Sequence, residues 1–135
     1  MAEFQEPTDN EKTLAIFAHV GGFFTSFLVP AILMLTAKNE PDELPTFSSV
    51  HARESLNFQI TLYFHAGLIS LISFLFGGTA FLLVGITASM LLSTLILTIV
   101  IAFFMIGLET LFVIFACLAA KRGEMYRYPL TLRFI

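Results

Sequence analysis

Three ionisable side chains stand inside otherwise apolar stretches of this 135-residue chain: His19, His65 and Glu109. A charged residue at the centre of a bilayer costs ~2.5–3.5 kcal/mol on insertion scales, so residues of this kind are rare there and face partners or water. A carboxylate beside an imidazole can relay protons or hold a cation, and the same pair, neutral and hydrogen-bonded, clamps two helices together. One carboxylate and two distant histidines make a sparse metal set, which favours the clamp, with His65 or His19 as the partner of Glu109. On helices rising ~1.5 Å per residue from boundaries near Leu56 and Lys121, His65 and Glu109 both fall about 14–18 Å from the same face. That is near the middle of a ~30 Å hydrocarbon core, with His19 shallower and entering from the other side.

A second group of polar residues opens the middle of the chain. In "HARESLNFQI", His51 to Ile60, a helical period puts Ala52, Leu56, Ile60 and Tyr63 on one narrow stripe. His51, Arg53, Glu54, Ser55, Asn57, Gln59, Thr61 and His65 take most of the remaining circumference. The pattern predicts an interfacial, amphipathic start to a membrane helix, its polar face toward headgroups, a partner or the chain's own C-terminus. A sharper alternative has Arg53, Asn57 and Gln59 lining a vestibule that leads to His65. At the other end, Tyr126, Arg127 and Tyr128 suit the headgroup region. The final "PLTLRFI" alternates apolar and polar residues, so it either lies along the membrane surface or returns against the polar face of the second helix. Arg53, Glu54, Asn57, Gln59, Tyr126, Arg127 and Tyr128 are thus the expected interfacial or partner surface.

The elements that carry these residues follow from composition. The chain is 57% hydrophobic and 13% charged, against roughly 25% charged in soluble domains. Apart from Glu109, the charges are confined to the first twelve residues, the 38–43 linker, Arg53-Glu54 and the stretch from Lys121 onward. The expected fold is an all-α, polytopic transmembrane bundle. Residues 1–12 form a polar tail, spans cover about 13–37, 50–76 and 86–120 within one domain of residues 13–122, and 123–135 form an interfacial tail. Thr8, Asp9 or Asn10 caps the first helix, Ser48 or Ser49 caps the second, Pro30 bends the first span, and Gly77-Gly78 ends the second. Three crossings place six basic residues on one side against Lys12 alone, whereas four place five against two. The positive-inside rule therefore favours three, with the N-terminus outside and the C-terminus cytoplasmic. Ala18, Gly22 and Ser26, and again Gly85, Ser89 and Ser93, form small-residue ladders suited to close helix packing. The single cysteine, Cys117, reads as a small buried hydrophobe.

"KTLAIFAHVGGF", "ESLNFQITL" and "GEMYRYPLTLRFI" together resemble the DUF4870 domain family, small bacterial membrane proteins described as similar to Tic20, a chloroplast protein-import component. The resemblance implies a compact multi-span helical protein of the bacterial cytoplasmic membrane, with translocation entering only by fold-level analogy. No nucleophile and base pair, phosphate-binding glycine loop or metal quartet is evident, so no enzyme, cofactor or metal is expected. The basic residues flank apolar spans and form no nucleic-acid patch. The leading expectation is a scaffold, assembly factor or accessory subunit, working with the lipid bilayer and with a protein partner or a second copy. A translocation-associated or ion- or proton-conducting protein is the alternative, and lipid binding between the helices a third.

Overall fold

The computed structural model describes residues 6–36, 45–84 and 88–135, without the side chains of 76–91. Every regular element among the described residues is a helix: α1 (Asp9–Thr25), α2 (Leu28–Thr36), α3 (Phe47–Val84) and α4 (Ala88–Arg122). α1 opens on a capping box. Thr8 Oγ1 accepts from the Glu11 backbone N–H at 3.3 Å, and Glu11 Oε2 accepts from the Thr8 N–H at 3.0 Å. Asp9 and Glu11 also place negative charge at the positive end of the helix dipole.

The first apolar segment, expected as one crossing over 13–37, is two short helices folded back on each other. The break is at Ser26, whose φ of 58° lies in the left-handed region. Thr25 Oγ1 stitches the junction, donating to the Gly21 carbonyl at 2.7 Å and accepting from the Val29 N–H at 3.2 Å. Gly21 and Gly22 let α2 come close: a Cβ at Gly21 would collide with the Val29 side chain, and one at Gly22 would lie 3.3 Å from Pro30 Cγ. Pro30 does not kink a continuing helix. It sits in the first turn of α2, where its missing N–H would have had no intrahelical partner.

Thr46, ahead of the two serines expected to do so, caps α3: its Oγ1 accepts from the Ser49 N–H at 3.3 Å. α3 continues through Gly77-Gly78 to Val84. Two glycines cost such a helix about 1 kcal/mol each, a penalty that apolar surroundings outweigh because they leave backbone groups no partner outside the helix. α4 ends in a Schellman motif. Gly123 takes φ 75°, its N–H donates to the Ala120 carbonyl at 3.0 Å, and the Glu124 N–H donates to that of Ala119 at 2.9 Å.

The chain divides into two units, residues Met1–Thr61 with Thr110–Ile135, and residues Leu62–Glu109. In the first, α1 lies on α3 through small residues. Ser55 Oγ donates to the Ala18 carbonyl at 2.9 Å, and a Cβ on Gly22 would stand 2.6 Å from that same Oγ. Of the first small-residue ladder, Ala18 and Gly22 make this contact and Ser26 is the turn. Gly85 and the Ser89 side chain, from the second ladder, lie outside the described residues. Ala15, Phe47 and Ala120 join α1, α3 and α4 in a small core. Gly123 faces the N-terminal segment so closely that an added Cβ would lie 3.2 Å from Pro7 Cγ and 3.4 Å from Lys12 Cε. The start of α1 and the end of α4 therefore share one end of this unit.

The second unit is built from the remainders of α3 and α4, each about 33–35 Å long at ~1.5 Å per residue, enough for a ~30 Å hydrocarbon core. Its described side chains are exposed almost throughout, among them Leu68, Phe74, Phe103 and Phe104. A helix apolar on all sides and buried on none is suited to lipid. Two stretches, Phe47–Leu75 and Leu92–Arg122, are long and apolar enough to cross a membrane.

Candidate functional site

The polar stretch of α3, its polar face expected toward headgroups, a partner or the chain's own C-terminus, is enclosed, and the C-terminus is part of what covers it. Of residues 51–61, only Arg53 is exposed and only Ile60 half-buried. α1 covers one flank of this stretch and the C-terminal tail, residues 124–135, covers another.

Two buried hydrogen bonds tie α1, α3 and the tail at a single point. His19 Nε2 lies 2.8 Å from His51 Nδ1, and Tyr128 Oη lies 2.9 Å from His19 Nδ1. With the Tyr128 hydroxyl as donor, His19 carries its proton on Nε2 and gives it to His51 Nδ1, which places the His51 proton on Nε2. That nitrogen is buried, and the Glu124 backbone is the further group that meets the His51 ring. The line Tyr128–His19–His51 cross-links segments 32 and 109 residues apart. Burial, and then the neighbouring His51, push the His19 imidazole down to about 3, so it is neutral across the physiological range. Tyr126 packs edge-on to Tyr128 at 5.1 Å, and burial raises its phenol above the ordinary range. Tyr128 itself lies flat on Phe58 of α3, ring centroids 4.0 Å apart.

Further along α3, the polar side chains hold the backbone of the tail. Asn57 Oδ1 accepts from the N–H groups of Phe134 at 3.0 Å and Ile135 at 3.1 Å, while Asn57 Nδ2 donates to the Ile135 carbonyl at 3.1 Å. Thr61 Oγ1 accepts from the Leu132 N–H at 3.0 Å. Glu54 Oε1 accepts from Arg133 Nε at 3.3 Å, and its other oxygen is buried without a partner among the described residues. Glu54, Asn57 and Thr61 are three and four residues apart, hence one face of α3, and that face is a clamp for an extended peptide.

The three expected intramembrane polar residues divide between the two units. Both ring nitrogens of His19 are occupied by His51 and Tyr128, whereas His65 and Glu109 belong to the second unit, the first exposed and the second half-buried. Of the expected interfacial set, Arg53 and Arg127 are exposed, Glu54, Asn57 and Tyr128 bind as described, and Tyr126 is half-buried against Tyr128. Gln59 is buried beside Gly22, where an added Cβ would lie 3.6 Å from its Nε2. His51, Ser55, Thr61 and Arg133 were not singled out as site residues. Their signal was a polar residue at nearly every position of one helical segment, which needs a partner on each side.

A family model describes the same stretch of chain, matching residues 10–135. The chain belongs to the magnetosome magnetite crystal formation protein family, MamF/MmsF. This overturns the resemblance to the DUF4870, Tic20-like proteins. The motifs that carried it, "ESLNFQITL" and "GEMYRYPLTLRFI", are the two halves of the clamp. The first holds the backbone of the second through Asn57 and Thr61, and Glu54 pairs with Arg133. The MamF/MmsF match takes in α1, the clamp and both long helices together. No curated protein and no solved structure matches the chain.

Proposed function

We propose that the protein is a non-enzymatic accessory or scaffold component of the magnetosome membrane that acts in the formation of magnetite crystals. The family match over residues 10–135 carries this reading. The geometry supports a scaffold: polar groups that would otherwise be available for chemistry, Asn57, Thr61, Ser55 and His19, are spent on holding α1 and the tail to α3. The outward-facing surface includes long apolar lengths of α3 and α4, suited to lipid and to neighbouring membrane proteins or copies.

In this reading α3 and α4 cross the bilayer, and the α1 and α2 hairpin enters and leaves from one side. The contact of Gly123 with Pro7 and Lys12 supports both termini on that side. All seven Lys and Arg residues then fall on one face, a stronger asymmetry than three crossings provide, and the positive-inside rule makes it the cytoplasmic one. The test is deletion of the gene and complementation, with crystals sized by electron microscopy and the tagged protein located by fractionation. Altered crystal size or shape that full-length protein restores is the expected result. Normal crystals in the deletion strain, or protein absent from magnetosome membranes, would overturn the proposal.

A further inference from the structure

We propose that the turn at Pro129-Leu130 is a membrane-insertion tip that seats Leu130 among lipid acyl chains. Contacts along α3 trace the path of the tail: Tyr128 stacks on Phe58, Leu132 bonds to Thr61, and Phe134 and Ile135 return to Asn57, with Arg133 back at Glu54. The tail therefore runs along α3, reverses at 129–130, and doubles back. Its reversal is at the Thr61 end, the direction in which α3 continues into its apolar stretch.

Leu130 is disfavoured twice in water. Its φ of 58° is a conformation in which glycine or asparagine ordinarily follows a turn proline, and its side chain is 93% exposed. A leucine kept at such a position has an apolar medium to enter. Leu132, Phe134 and Ile135 are also exposed, whereas Thr131 turns its hydroxyl inward, so the outer edge of the tail is apolar apart from Arg133, which is tied to Glu54. No charge lies between Arg127 and Arg133, which bracket the turn as headgroup-level cations.

An extended segment is ordinarily barred from hydrocarbon by its unpaired peptide groups. Here Asn57 and Thr61 satisfy peptide groups of residues 132, 134 and 135 from the α3 side, so those groups are paired within the chain when the tip meets lipid. The occupant that fits is lipid, because the α3 helix that holds the tail is itself long and apolar enough to cross a bilayer. The inference rests on that crossing, which the experiment checks separately.

The chain has no tryptophan, so each Leu130→Trp, Leu97→Trp or Glu6→Trp variant carries a single probe. Each full-length variant is reconstituted in phosphatidylcholine and phosphatidylglycerol vesicles, with or without phosphatidylcholine brominated near mid-chain. The Leu97 probe on α4 tests the crossing, and the Glu6 probe marks water. Leu130→Trp is expected to emit blue-shifted light, to lose intensity in bromolipid by a fraction comparable with Leu97→Trp, and to resist iodide. Iodide quenching at the level of the Glu6 probe would overturn the proposal. So would blue-shifted emission that bromolipid leaves untouched, which would mean a protein partner or second copy covers Leu130. Loss of bromolipid quenching in Leu97→Trp as well would instead strike at the crossing. Should the Trp variant misfold, a spin label on Leu130→Cys in a Cys117→Ser background reads the same contrast, through oxygen against a water-soluble nickel complex.

Discussion

Asn57→Ala removes the centre of the clamp. The side chain is buried at 1% exposure and makes three hydrogen bonds to the backbone of the last two residues. At about 0.5–1.5 kcal/mol net per bond, partly recovered by water entering beside exposed residues, the loss is about 2–3 kcal/mol. It is local, because the Tyr128 and His19 contact upstream does not depend on it. Hydrogen exchange of the C-terminal peptide, in detergent or nanodiscs, reads it directly. About 2 kcal/mol corresponds to roughly 30-fold faster exchange at the Phe134 and Ile135 amides. Asn57→Asp keeps the acceptor for both N–H groups and loses the donor, so it falls between wild type and Ala. Exchange unchanged in Asn57→Ala would refute the reasoning, since the tail would then be held by something other than α3.

Three further outcomes follow from the same contacts. Tyr128→Phe leaves His19 Nδ1 buried without a donor and lowers stability by about 1–3 kcal/mol, measured as a fall in thermal midpoint, while Tyr126→Phe changes it much less. His19 stays neutral when folded, its value near 3 lying below the unfolded 6.5, so its contribution is constant above pH 6.5 and is lost as pH falls from 6.5 toward 3. The slope approaches about 1.4 kcal/mol per pH unit, and His19→Gln flattens that part of the acid-denaturation curve. Gly21→Ala drives a methyl into Val29 and destabilises the hairpin by about 1–3 kcal/mol, and Val29→Ala in the same chain restores most of the loss, as circular dichroism melts would show.

Apolar runs, caps and breakers made the helical class and the two long helices legible from sequence. The last span was expected to close near residue 120, close to the observed end of α4, and Thr8 was among three candidate caps of the first helix. The hairpin was not legible as such, because an unbroken apolar run of this length fits a single crossing equally well. Its markers were Gly21-Gly22 and Pro30, which have other ordinary meanings in a membrane helix. For the polar turns of α3, periodicity left headgroups, a partner and the chain's own C-terminus open, because it reports which residues share a face and not which of these covers it; the contacts pick out the C-terminus. His51 meets His19 and Asn57 meets Ile135 across 32 and 78 residues, distances over which local pattern carries no information. Depth counting put His65 and Glu109 at one level, but nothing in helical rise told how His19 would spend its two nitrogens.

The N-terminal end of α1 and the residues after α4 lie in one unit, and labelling from one side tests directly whether they share a face of the membrane. Single cysteines at Glu6 and at Arg127, in a Cys117→Ser background, are treated in sealed inside-out vesicles with a membrane-impermeant maleimide. Equal labelling at both positions, from the cytoplasmic face, is the predicted result. Labelling at Arg127 with protection at Glu6 would restore three crossings and contradict the hairpin.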